Sequence, residues 1–252
     1  MDDVDTIEHC AYDAWPAEEV TDLAGWRLRA MRGVSRRANS VWTGECLGDE
    51  PLDVRIERAE AWYRSRALGA TFQLTSRAVP AGLDDALERR GYGIDAPVSI
   101  QIARARNVVR SQPDGCPSVE VHRDLPDDWF EISAHKGRFA RVADVYRGLL
   151  ARIGSRARYA LARVDGEPAA VGLGVIDERW MGVFSMLTLP GHRRQGAGRA
   201  ILTGLAGAAL EHGVNDLYLQ VERDNAGAAA LYAGASFREL YGYHYRVSPL
   251  LT

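Results

Sequence analysis

Lysine is almost missing from this 252-residue chain: of its 31 basic residues, all but Lys136 are arginine. That bias reads as a GC-rich coding sequence, so a lone arginine carries little meaning and only clusters count. Cysteine is equally sparse, with Cys10, Cys46 and Cys116 odd in number and far apart. Such spacing fits a reducing cytoplasm better than a disulfide framework. No CxxC or HxxxH pair occurs and the six histidines are scattered, so no metal is expected. No run of about 18 apolar residues occurs, which excludes a transmembrane helix. The amino terminus, MDDVDTIEHCAYDAWP, is acidic and lacks the basic start and apolar centre of a signal peptide. Cytoplasmic residence without a membrane partner is the resulting expectation. A formal net charge of −3 and a pI near 6.1 give no global basic field, so nucleic acid is not an expected partner.

Hydrophobic residues make up 46% of the chain, enough for one large domain or two ordinary ones. In the first hundred residues, WRLRAM from Trp26 alternates as a half-buried strand, and SVWTGE can pair with it as a hairpin. IERAEAWYRSRAL from Ile56 has helical spacing, Thr71 to Thr75 reads as a strand, Leu83 to Arg90 as a short helix, and Val98 to Ala103 as a strand. NVVRSQPDGCPS, residues 107 to 118, carries two prolines and a glycine and reads as a linker.

Beyond it, Asp127 to His135 and Ala143 to Ile153 have helical spacing. Tyr159 to Val164 and Ala169 to Ile176 flank the turn DGEP as a hairpin, and Arg179 to Thr188 is a further strand. Arg194 to His212 reads as an alanine-rich helix ending at Gly213, Leu217 to Val221 as a strand, Asn225 to Tyr232 as a helix, and Phe237 to Val247 as one or two closing strands. The sum is an α/β fold with a mixed α+β sheet. A weak similarity between LERRGYGIDAPVSIQI and LYAGASFRELYGYHYRV suggests two related lobes.

One stretch carries chemistry: LTLPGHRRQGAGRAIL, residues 187 to 202. A loop leaving a strand and entering a helix presents backbone N–H groups that have no intrahelical partner. Gly196 and Gly198 let an anionic oxygen approach the main chain, and the helix dipole favours it there. Arg193, Arg194 and Arg199 add positive charge, so the loop suits a pyrophosphate. It lacks the GxxxxGK[ST] of a P-loop, and Ile201 stands where the third glycine of GxGxxG would be.

The run Arg193-Arg194-Gln195-Gly196-Ala197-Gly198 matches the [QR]xxGx[GA] signature of the GNAT superfamily, acyl-CoA-dependent N-acyltransferases, and MLTLP precedes it as in that family. NAGAAALYAGASF, Asn225 to Phe237, resembles the family's downstream NxxAxxLYxxxGF, with Ser236 in place of the usual glycine. The resemblance covers roughly residues 119 to 247. It implies a GNAT-type fold of two GNAT-like lobes: a degenerate one at 1–106 without a cofactor loop, a linker at 107–118, and a catalytic domain at 119–252.

It further implies acetyl-CoA as co-substrate, without metal. Its pantetheine arm would lie along Met186, Leu187 and Thr188, its pyrophosphate on Arg193, Arg194, Gln195, Gly196, Ala197, Gly198 and Arg199, with Asn225 and Tyr232 nearby. The implied reaction is acetyl transfer to a primary amine of a small molecule, by a monomer or homodimer; a sensor without turnover and a protein or peptide N-acetyltransferase are the alternatives.

Thioester-to-amine transfer needs a neutral amine, a donor for the oxyanion and a proton for the leaving thiolate. Tyr232, in the family's LY dipeptide, is the candidate acid, since a phenol stays protonated at neutral pH. The backbone N–H of Leu187 is the candidate oxyanion donor by resemblance. No base stands out. Gln220 occupies the place of a glutamate found in some relatives and cannot take a proton. Glu222, two residues on and on the same strand face, is the nearest carboxylate. Glu131 and His135 are fallback candidates, as is ordered water. Trp129, Phe130 and Phe139 could line an acceptor pocket or belong to the core, and the basic stretch Arg27 to Arg37 reads as a solvated strand face.

Overall fold

In a computed structural model, residues 3–249 are described. They divide into two compact units: a larger one of residues 3–14 and 99–241, and a smaller one of residues 15–98 and 242–249.

In the smaller unit, the strand Glu19–Leu23 pairs antiparallel with Trp26–Ala30, which pairs antiparallel with the short strand Val41–Trp42. The helix Leu52–Arg64 then crosses over to Thr71–Thr75, parallel to Val41–Trp42. A parallel pair requires such a crossover because a tight turn can only reverse the chain. The short helix Leu83–Arg89 follows, and residues 243–247 close the sheet antiparallel to Thr71–Thr75. Trp26, Leu28, Ile56, Tyr63, Phe72 and Leu87 fill its core.

The larger unit repeats this order with longer elements. Ser118–His122, Ala157–Val164, Glu167–Ile176 and Trp180–Thr188 pair antiparallel in sequence. The helix Ala197–Glu211 crosses over to Asp216–Glu222, parallel to Trp180–Thr188. Alanine, the best helix former, lets this helix press closely on the sheet; Ala200, Ile201, Leu202, Leu205, Ala206 and Ala209 are fully buried. The short helix Ala226–Gly234 follows, and residues 238–241, the first part of the strand Arg238–Val247, end the unit. On the other face lie Asp127–Phe130, a single π-helical turn at Glu131–His135 closed by Lys136 N–H donating to Glu131 O (3.1 Å), and the helix Ala143–Ile153.

The mixed sheet, the hairpins and the related lobes agree with the sequence reading; the boundaries move. Residues 99–104, expected in the first lobe, lie in the larger unit beside Asp216–Glu222, and residues 242–247, expected in the second, pair with Thr71–Thr75. The expected linker is partly helical: Ala105–Arg110 is a helix and Ser118 already begins a strand. The polar composition of this stretch hid a short helix whose Ala105 and Val108 pack into the core while Val109 is exposed. The alanine-rich helix starts at Ala197 and not at Arg194, because Arg194 (φ 63°) and Gly196 (φ 81°) are left-handed and cannot continue a right-handed helix.

Candidate active site

Strands Trp180–Thr188 and Asp216–Glu222 stay paired only from Trp180↔Asp216 to Val183↔Leu219. Beyond that point they part. Residues 184–188 keep their antiparallel neighbour on one side, and on the other their backbone has no ladder partner among the described residues. An open strand edge of this kind can accept an extended amide-bearing chain.

The parting coincides with a bulge. Val171 faces Leu187 and Leu173 faces Phe184, so Gly172 opposes both Ser185 and Met186. Ser185 takes the left-handed conformation (φ 49°), which places the extra residue. After the bulge the alternation is regular: Met186 Sδ and Thr188 Oγ1 point toward the Ala197–Glu211 helix, near Gly172 and Gly198, while Leu187 points to the opposite face near Gly137.

This regularity fixes the backbone too. Leu189 N–H donates to Ala169 O (2.9 Å); in an antiparallel ladder the N–H of every second residue points the same way. The N–H of Leu187 therefore faces the neighbouring strand, and those of Met186 and Thr188 face the open edge. Leu187, the oxyanion donor that the resemblance implies, has its N–H turned toward the neighbouring strand, a parity that is invisible until the register is known.

At the end of this edge the chain turns through Pro190–His192 into the arginine-glycine loop. Arg194 and Gly196 in left-handed conformations alternate with ordinary ones, and such alternation gathers successive N–H groups into an anion-holding concavity. Gln195 Nε2 donates to Gly191 O (3.1 Å), bracing the loop. A Cβ on Gly196 would stand 3.2 Å from Cys116 Sγ, and one on Gly198 3.1 Å from Leu231. The first glycine thus serves turn and packing, the second helix–helix contact.

Arg193 and Arg194 are exposed, but Arg199 is otherwise engaged. Its guanidinium donates to Ser111 O (3.1 Å), Ser111 Oγ (3.1 Å) and Gly234 O (2.6 Å). Its side chain is a tie between segments. Asn225, expected beside the cofactor, caps the Ala226–Gly234 helix, its Oδ1 accepting from Ala228 N–H (3.1 Å).

Tyr232 lies on that helix, buried and edge-on to Phe237. Burial alone pushes its phenol up to about 12, so it stays protonated across the neutral range. On Asp216–Glu222, Leu217, Leu219 and Val221 join the helix-side core; Tyr218, Gln220 and Glu222 therefore take the opposite face. Glu131 and His135 are exposed on the π-turn. Trp129, Phe130 and Phe139 are buried core residues, Trp129 Nε1 donating to Gly172 O (3.0 Å) and Phe139 stacking on Tyr146 (4.0 Å). The Arg27 to Arg37 stretch is largely used in local pairs: Arg27 with Asp22, Arg32 with Glu18, Arg36 with Asp95, and the buried Arg29 with Ser40. No cluster of metal-ligating side chains occurs among the described residues, and no helix there is long and apolar enough to cross a membrane.

A feature that sequence reasoning missed is Tyr146. Fully buried, its hydroxyl is hydrogen-bonded to Ser133 Oγ (3.0 Å) and to Ser185 Oγ of the bulge (2.8 Å). Only the tyrosine's place in a helical repeat showed in the sequence, not its partners.

Comparisons with known proteins agree with this geometry. The chain is similar to the uncharacterized N-acetyltransferase YobR of Bacillus subtilis, 28% identical over 98% of this chain and 99% of that one. It is 30% identical to the probable histone acetyltransferase Rv0428c of Mycobacterium tuberculosis over 85% of this chain, spanning 65% of that protein's length. Among solved structures, a tandem GNAT protein from the clavulanic acid biosynthesis pathway superposes with a TM-score of 0.61 at 15% identity, over 78% of this chain and 69% of that one. The family described as probable histone acetyltransferase Rv0428c C-terminal matches residues 2–246. Open edge, bulge, left-handed loop and these matches converge: the chain belongs to that family and is a GNAT-type N-acetyltransferase, an acyltransferase.

Proposed function

We propose that the larger unit transfers an acetyl group from acetyl-CoA to a primary amine of a small molecule. The observation that carries this reading is the junction of an unpaired strand edge, residues 184–188, with the left-handed loop at Arg194 and Gly196. The loop amides from Arg194 to Arg199 hold the pyrophosphate, with Arg193 and Arg194 adding charge. The pantetheine amides pair with the strand edge at Met186 and Thr188, whose N–H groups also meet the developing oxyanion. As the amine nitrogen bonds to the acetyl carbon and the C–S bond breaks, Tyr232 gives its proton to the leaving sulfur. Glu222, beyond the end of its strand's pairing with Trp180–Thr188, takes the proton of the incoming ammonium.

The smaller unit is read as a degenerate copy. Where the larger unit has arginines and glycines, it has TGECLGDEP, with three acidic residues. The guanidinium of Arg55, in the first turn of the following helix, is taken up by Leu47 O (2.9 Å) and Ala24 O (3.3 Å).

A relative's name points to histones as acceptors. The face opposite the cofactor helix favours another class. The segment from 135 to 147 exposes Lys136, Arg138, Arg141 and Arg147 against one acid, Asp144, and such a rim repels a lysine-rich tail. Thiol release from acetyl-CoA, measured with small primary amines, free amino acids and a histone-tail peptide, separates the readings. Turnover with small amines is expected. Turnover confined to the tail peptide would replace the acceptor, and tight binding without any thiol release would make the protein a sensor.

A further inference from the structure

Left-handed backbone in a serine is costly, since its Cβ crowds the carbonyl; glycine would take the same φ freely. Ser185 nevertheless stands at the bulge, with φ 49°. The hydroxyl is what glycine would lack. It lies 2.8 Å from Tyr146 Oη, which lies 3.0 Å from Ser133 Oγ. Tyr146 is itself pinned: fully buried, stacked on Phe139 with centroids 4.0 Å apart, and parallel to Phe130 at 6.3 Å. Ser133 sits within the π-turn Glu131–His135, a form of helix common where function requires local adjustment. The chain of three hydroxyls thus ties the helices on one face to the single strand residue that sets the register of the open edge.

We propose that Tyr146 and Ser185 are positioning residues for acyl transfer. By holding the bulge in one register, they aim the N–H groups of Met186 and Thr188 at the thioester carbonyl without touching it. This rests on the acetyltransferase reading above. If the bulge relaxed by one residue, the N–H groups on the open edge would become those of the neighbouring parity, and Leu187 would present its amide in their place. Oxyanion stabilisation depends on donors fixed in advance, so the loss appears in kcat. The loop at 193–199, proposed to hold the charged pyrophosphate, is untouched, so KM for acetyl-CoA changes far less than kcat even though the pantetheine arm shares this edge. Tyr146 is kept protonated, since burial raises its pKa, and can both give and accept a hydrogen bond in the relay.

The test compares Tyr146→Phe and Ser185→Gly with the parent chain. For both, kcat is expected to fall about 10- to 100-fold while KM for acetyl-CoA changes less than about threefold. Ser185→Gly is the sharper variant, because it relieves the backbone: its melting temperature is expected to be unchanged or higher while kcat falls. A merely structural role would lower stability and activity together. Wild-type kcat in both variants, or a kcat loss that tracks lower melting temperatures, would overturn the proposal. Amide hydrogen exchange supplies a readout that needs no turnover. In the cofactor-free protein, Leu187 N–H should exchange faster in Tyr146→Phe than in the parent, and an unchanged rate would overturn the proposal independently. Absence of turnover in the parent chain would instead count against the acetyltransferase reading, leaving the exchange result to decide on the relay.

Discussion

Tyr232 is asked to remain an acid under conditions where a solvent-exposed phenol would begin to ionise. Burial pushes it up to about 12, above the ordinary phenol value. Below about 12 the group holds its proton, so its ionisation does not reduce kcat between pH 7 and 10. Tyr232→Phe is expected to lower kcat about 100-fold with little change in KM for acetyl-CoA, and to leave the alkaline side of the parent pH–rate profile unchanged in shape. Steady-state kinetics across that range checks it; a variant with parental kcat would remove Tyr232 from the reaction. Residue identities were the most legible level of this site. The glycines, arginines and LY dipeptide could be read directly, because their chemistry is local. What each side chain does was less legible: Arg199 looks like a phosphate ligand by spacing and is a tie by contact, and Asn225 is a helix cap.

Between elements, the guanidinium of Arg199 joins three pieces of chain: the first turn of the Ala197–Glu211 helix, Ser111 after the Ala105–Arg110 helix, and Gly234 at the end of the Ala226–Gly234 helix. Bonds from a charged donor contribute about 1.5–3 kcal/mol, more than the roughly 0.2–1 kcal/mol of an exposed ion pair. Arg199→Ala is therefore expected to destabilise the protein by about 1.5–3 kcal/mol, lowering the melting temperature by several degrees, while acetyl-CoA affinity falls less than in Arg194→Ala. Thermal melts and calorimetric titration of both variants check this ordering. Parental stability with collapsed affinity would return Arg199 to the phosphate.

Element types were legible wherever the period was strong, as at Ala143–Ile153 and Thr71–Thr75, which fall where the spacing placed them. The bulge at Ser185 was not, since an extra residue in a ladder shows only against its partner strand. The helix at Ala105–Arg110 was hidden for a related reason: its short apolar stripe acquires meaning only from the core that covers it.

At the scale of the whole molecule, the two units repeat one order of elements, and the arginine-glycine loop at 193–199 lies in the larger one. Sequence similarity between the halves hinted at the repeat. It did not reveal that residues 99–104 and 242–247 each complete the sheet of the other half, because strand pairing is a long-range choice that local propensity does not encode. The proposed reading, with the acidic TGECLGDEP in the smaller unit, calls for one cofactor site per chain. Calorimetric titration of acetyl-CoA into the parent chain and into Gly196→Val tests the central claim most directly. One equivalent is expected to bind per parent chain and at least about tenfold more weakly to the variant, in which a β-branched residue is forced into a left-handed turn against Cys116. Two equivalents in the parent, or undiminished affinity in the variant with its fold intact, would contradict a single cofactor site built on this loop.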